Sequence, residues 1–206
     1  MLKIENLSLS YEAFNVFSNI TLQVSRGELV CLCGESGCGK SSLLKAVQGF
    51  VESEGRIEVG GERLDDNTID AIRRTTAYIP QDLSLPYDTV EQMVTSLFEL
   101  RVNRNIRFSK EMMLADWSQL GLDSSLWDKR INEISGGQRQ RIMLSVAGLT
   151  GKCLLLADEP TSALDSESAL LVANYFRMLA RERNMAILVV SHSGTFAKEC
   201  DRVVKF

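Results

Sequence analysis

Histidine occurs once in these 206 residues, at His192. That scarcity argues against a zinc centre. Cys31, Cys33 and Cys38 lie close together in sequence, but structural zinc calls for four ligands. The five cysteines are odd in number and form no paired framework, which excludes a disulfide scaffold and points to a reducing compartment. Cys31 and Cys33 read instead as core residues on one face of a strand. A basic excess is also lacking. With 23 Lys and Arg against 27 Asp and Glu, the net charge is -4 and the pI about 5.2. No nucleic-acid partner is expected, because such a partner leaves a basic footprint. The longest apolar runs, "CLLLA" (153–157) and "AILVV" (186–190), are far too short to cross a bilayer. The N-terminus has no apolar targeting stretch, and no repeat or low-complexity segment is visible. Work on a membrane would require another polypeptide to supply the membrane part.

What is present is an ordinary globular composition, 45% hydrophobic and 24% charged, in a chain long enough to bury a full core. "LKIENLSLS" and "NITLQVS" alternate as strands do, and "ELVCLCG" reads as a buried strand. "KSSLLKAVQGF" reads as a helix, "GRIEVGGERL" as strand and turn, and "TAYIPQD" as a short strand ending at Pro80. From about residue 82 to 150 the pattern is helical. A strand at 153–157, a helix at 167–183, a strand at 185–190, a short helix near 195–200 and a last strand "DRVVKF" follow. Strands alternating with helices predict an α/β fold with a mostly parallel sheet and right-handed crossovers. The opening strands predict an N-terminal antiparallel β subdomain, and the helical middle an inserted subdomain.

"CLCGESGCGKSSLLKAV" holds G-x-x-x-x-G-K-S at residues 34–41, after a strand and opening a helix, the context a phosphate loop needs. Gly34, Gly37 and Gly39 allow backbone N–H groups to wrap phosphates, and the helix N-terminus adds partial positive charge. Glu35, Ser36 and Cys38 fill the loop, and Ser42 follows it. Lys40 can bridge the terminal phosphates, and Ser41 can ligate Mg²⁺. Cys38, at a helix N-terminus, is expected to make the site sensitive to alkylation. "CLLLADEPTSALD" then places Asp158 and Glu159 at the end of an apolar strand. Asp158 is placed to hold Mg²⁺ and Glu159 to orient the attacking water. Phosphoryl transfer needs mainly positioning and charge neutralisation, which these groups can supply.

A second glycine turn, "ISGGQRQR", opens another helix. It resembles the signature sequence of ABC-type ATPases, and further motifs of that family appear in order across nearly the whole chain. Tyr11 matches the aromatic that stacks on adenine, and Gln81 in "YIPQD" the Q-loop glutamine. Ser135, Gly136, Gly137 and Gln138 match the signature, Asp165 in "SALD" the D-loop, and His192 in "VVSHS" the switch histidine. The resemblance implies a P-loop NTPase fold. It implies a nucleotide-binding core at 1–81 and 151–206 and a helical subdomain at about 82–150, all in one domain. It implies ATP and Mg²⁺, with Ser41, Gln81 and Asp158 around the metal. Catalysis would fall to Glu159, His192, Gln81 and Lys40. It also implies a head-to-tail homodimer in which the turn at Ser135 meets the γ-phosphate bound by the other subunit.

The sequence departs from the family pattern mildly, at Ile134 in place of the commoner leucine and in "KSS" in place of "KST". The chain ends at Phe206 directly after a strand, so no regulatory domain of the kind some members carry is expected. The leading functional reading is the ATPase subunit of a membrane transporter, at the cytoplasmic face of the cell membrane through an integral membrane permease. "LSLPYDTVEQM", with Leu83, Leu85, Pro86 and Tyr87, would dock there. Two other readings stay open: a soluble ABC ATPase of repair, chromosome organisation or translation, and a force-transmitting or lipoprotein-releasing ATPase.

Overall fold

The computed structural model describes residues 1–11, 14–83 and 86–206. In chain order its elements are β1 (Leu2–Tyr11), β2 (Phe14–Val24), β3 (Leu29–Cys33), α1 (Lys40–Val47), β4 (Glu54–Val59), β5 (Glu62–Arg63), α2 (Ile69–Thr75) and β6 (Thr76–Ile79). They continue as α3 (Val90–Glu99), α4 (Lys110–Gln119), α5 (Gly136–Leu149), β7 (Leu154–Asp158), α6 (Ser166–Arg183), β8 (Ala186–Val190), α7 (Gly194–Lys198) and β9 (Arg202–Lys205). Two short 3-10 turns lie between α4 and α5.

The strands form two sheets. One is antiparallel in the order β2-β1-β4-β5, and the other runs β6-β7-β8-β3-β9 with every neighbour parallel. Parallel strands buried on both faces read as continuous apolar runs, which is how "CLLLA" and "AILVV" read. Their side chains alternate between two cores, as the two-residue period requires. Val30, Leu32, Leu154, Leu156, Leu188 and Val190 face α1 and the antiparallel sheet. Leu29, Cys31, Leu155, Ala157, Ile187 and Val189 face α6 and the helices that precede β7. That second core runs without a break from the sheet into α3, α4 and α5. Cys31 and Cys33 lie on one face, with their sulfurs 3.3 Å apart.

Helix α2 is the element the sequence pattern does not announce. It has seven residues and one buried side chain, Ile72, too little for a helical period to register.

A buried polar knot ties the helical segment to α6. Asp116 of α4 accepts from Tyr175 Oη at 2.5 Å and from both terminal nitrogens of Arg183, at 3.1 and 2.7 Å. Removing one member of a buried charged pair leaves the others desolvated and unpaired. Asp116→Ala is therefore expected to destabilise the protein by about 2–4 kcal/mol, less than a fully buried pair because Arg183 reaches solvent. The check is a lowered melting temperature with the nucleotide affinity little changed.

Candidate functional site

The phosphate loop leaves β3 and enters α1. Gly39, the N-cap of α1, has φ 102°, a conformation that side chains disfavour. A Cβ there would also lie 2.7 Å from Val16 Cγ1 and 2.9 Å from Phe17 Cδ1. The Lys40 ammonium is drawn into the loop, where it donates to the carbonyls of Gly34 (3.1 Å) and Glu35 (2.6 Å) and approaches Cys38 Sγ at 3.5 Å. Ser41 Oγ donates to Asp158 Oδ1 at 3.0 Å. This joins the loop to the last residue of β7.

Glu159 follows with φ 49°, a left-handed conformation uncommon outside glycine. Its amide donates to the Val190 carbonyl at 3.0 Å, and its Oε1 lies 2.9 Å from His192 Nε2. Parallel pairing of β7 with β8 thus brings the two residues that follow these strands together. A cavity of about 570 Å³ gathers Ser36, Gly37, Gly39, Lys40, Ser41, Ser42, Gln81, Glu159, His192 and Tyr11 along its wall. Phe14 and Val16 complete that wall. Neither was singled out from the sequence. The available signal was Phe14, a large apolar side chain 69% exposed on a strand where alternation would place a polar one.

Gly34, Glu35 and Cys38 face elsewhere. They line a second cavity of about 420 Å³ with Cys33, Lys205 and Phe206. Asp165 is not at the main cavity either; it caps α6, accepting from the Ser168 amide at 2.8 Å. That bond holds its carboxyl below the ordinary aspartate range.

Ser135, Gly136, Gly137 and Gln138 are likewise outside the cavity. Ser135 caps α5, its hydroxyl accepting from the Gln138 amide at 3.1 Å, while its own amide donates to Gln138 Oε1 at 2.8 Å. The Ser135 amide is therefore committed inside this capping box. The hydroxyl proton and the amides of Gly136 and Gly137, which a helix start leaves without intrahelical partners, remain as donors. A Cβ on Gly137 would lie 2.6 Å from Leu164 Cδ2 and 3.2 Å from the Ala163 carbonyl. The turn is thus packed against the segment that follows Glu159. In the suggested docking segment, Leu83 and Tyr87 are half-buried and Pro86 is exposed. Tyr87 packs on the large core, and Leu85 lies outside the described residues.

The donors assigned to the metal are a hydroxyl, a carboxylate and an amide oxygen, the hard set that suits Mg²⁺. Asp158 is 3% exposed, and burial raises its pKa above the ordinary aspartate range. A buried charge next to Ser41 is what a dication would offset.

A parallel sheet whose strand ends carry a phosphate loop and an acidic pair defines a P-loop NTPase. The family model described as "ABC transporter" matches residues 17–162, and the chain belongs to the ABC transporter family. It is 33% identical over 200 residues to the ergothioneine transport ATP-binding protein of Helicobacter pylori, covering 95% of this chain and 92% of that protein. It is 32% identical to the glycine betaine/carnitine/choline transport ATP-binding protein of Bacillus subtilis, covering 99% of this chain but 54% of that one. The chain thus spans nearly all of one relative and about half of another. Among solved structures, a dimeric ATP-binding cassette in a post-hydrolysis state bound to ADP and Pi superposes with a TM-score of 0.86 at 26% identity. That match covers 100% of this chain and 94% of the other.

The raised pKa of Asp158 sets a sign. In the nucleotide-free protein its charged form opposes folding, and the penalty disappears below the ordinary aspartate value of about 4. Asp158→Asn keeps an oxygen facing Ser41. It is expected to raise the melting temperature at neutral pH, and the gain should shrink as the pH falls toward that value. Thermal unfolding followed across pH checks this.

Proposed function

We propose that this chain is the ATP-binding and hydrolysing subunit of a membrane transporter. Two copies would close head to tail around two ATP molecules. The convergence of Lys40, Ser41, Asp158, Glu159 and His192 at one sheet edge carries the reading. The chain retains every chemical group the reaction needs.

In this reading Tyr11 stacks on the base and the loop at 34–42 cradles the phosphates. Ser41, Asp158 and Gln81 would hold Mg²⁺, which would supply charge neutralisation at the phosphates. Lys40, whose ammonium lies in the loop, would bridge the terminal phosphates and oppose their developing charge. Glu159 accepts a hydrogen bond from the water that attacks the γ-phosphorus, and His192 fixes the Glu159 carboxylate through the 2.9 Å contact. The bond from that phosphorus to the bridging oxygen breaks, giving ADP and phosphate. Gln81, at the rim of the cavity, senses the nucleotide. The turn at Ser135 lies outside its own chain's cavity, and its free hydroxyl proton and helix-start amides suit a phosphate presented by the partner copy. Asp165 supports that interface by fixing the start of α6.

Division into a core (1–81 and 151–206) and a helical subdomain (82–150) gives the second part a task. It would dock, with the segment after Gln81, onto a permease. A cavity of about 480 Å³ beside Tyr87 and lined by Arg130 and Arg139 adjoins that segment. The chain would then work at the cytoplasmic face of the membrane, and no helix among the described residues is long and apolar enough to cross it.

Glu159→Gln is expected to bind ATP, hydrolyse it at least about 100-fold more slowly, and elute as a dimer with Mg-ATP in size-exclusion chromatography. Ser135→Arg on that background should leave ATP binding intact and abolish the dimer. Dimers that persist would remove the trans role of the turn. Recovery of the Glu159→Gln protein with ribosomes or DNA-bound proteins, and with no polytopic membrane protein, would favour a soluble ATPase.

A further inference from the structure

Gln140 has no part in the machinery described above. It lies on α5, four residues beyond the first glycine of the signature turn, and is 3% exposed. Its side-chain amide nitrogen reaches the main-chain carbonyl of Glu159 at 3.4 Å. That carbonyl also accepts from the Ser162 amide at 3.2 Å and from the Ser162 hydroxyl at 3.0 Å. A carbonyl oxygen can only accept, so the NH₂ end of Gln140 must face it.

Three different parts of the structure therefore hold the Glu159 backbone. β8 takes its amide, its own loop takes its carbonyl, and α5 reaches that carbonyl through Gln140. The residue so held sits at φ 49°, a conformation that persists where surrounding contacts over-determine it. Gln140 also shares a small cavity with Gln81, Gly136 and Ser162. It thus stands where the signature helix, the Q-loop and the segment after Glu159 meet.

We propose that Gln140 is a positioning residue for Glu159, and that it makes the aim of the Glu159 carboxylate depend on where α5 sits. This rests on the functional reading above. The helix that presents its turn to the partner's nucleotide would then also steer the carboxylate serving its own nucleotide. Each copy would hydrolyse in step with the engagement of its signature turn. The coupling element is one hydrogen bond between α5 and a left-handed residue, and no contact between Gln140 and the substrate is required.

The test compares wild type with Gln140→Met, which keeps the length and volume of the side chain and removes the donor. At saturating Mg-ATP, kcat is expected to fall about tenfold through misplacement of the carboxylate, with the Kd for ATP within about twofold of wild type. His192 is the only histidine, so its imidazole NMR signals are unambiguous. They are expected to move in Gln140→Met toward their positions in Glu159→Gln. A folded Gln140→Met protein with wild-type kcat, or with His192 signals unmoved, overturns the proposal. Should that variant fail to fold, Gln140→Asn, which keeps the amide but not the reach, carries the same readouts. Failure of the wild type to bind and hydrolyse ATP would sink the functional reading instead, so the two failures are distinguishable.

Discussion

Val190 pairs with Leu32 of β3 on one side and with Asp158 of β7 on the other. Three parallel strands therefore end within one residue of one another at one edge of the sheet. From that edge the chain departs three times: into the phosphate loop, into Glu159 and toward His192. The register is fixed by side chains that alternate between two cores. A slip of one residue in β7 would move Leu154 and Leu156 out of one core and Leu155 and Ala157 out of the other. It would also turn Asp158 away from Ser41. The 3.0 Å contact between Ser41 and Asp158 and the 2.9 Å contact between Glu159 and His192 both depend on that alignment.

The chemistry at this edge opposes the packing that supports it. β7 is buried along its whole length, yet it ends in a carboxylate that burial disfavours in its charged form. Lys40, itself 5% exposed, is held by the carbonyls of Gly34 and Glu35 in its own loop. Burial disfavours the charged Asp158 carboxylate, and a dication would supply the charge that the chain does not. The site and the folded state thus share one electrostatic imbalance.

Much of the architecture was legible because its signals are local. The phosphate loop needs glycines at fixed spacing, and buried parallel strands need continuous apolar runs. The order of strands and helices followed from them. Other features are not local. The seven residues of α2 bury only Ile72 and leave no period to read. The direction faced by Cys38 depends on β9, distant in sequence, whose neighbour Phe206 helps to line its cavity. That Gln138 takes the Ser135 amide is encoded locally, in the capping-box spacing of Ser135 and Gln138. No local pattern marks Gln140, because its partner is a main-chain atom nineteen positions away. The left-handed turn at Glu159 has no sequence signal, since glutamate adopts it here under pressure from its neighbours.

The capping box at Ser135 has a thermodynamic meaning for any surface this turn meets. Its two reciprocal hydrogen bonds and the packing of Gly137 on Leu164 give the turn its shape within the single chain. Less conformational entropy is then lost there on association than an unstructured turn would lose. A contact made by a turn already in shape draws its free energy from direct polar interactions, and its rate of formation is limited by orientation rather than by local folding. If two copies close as proposed, the adjustment would fall on the angle between larger bodies, and the signature turn would meet its target already in shape.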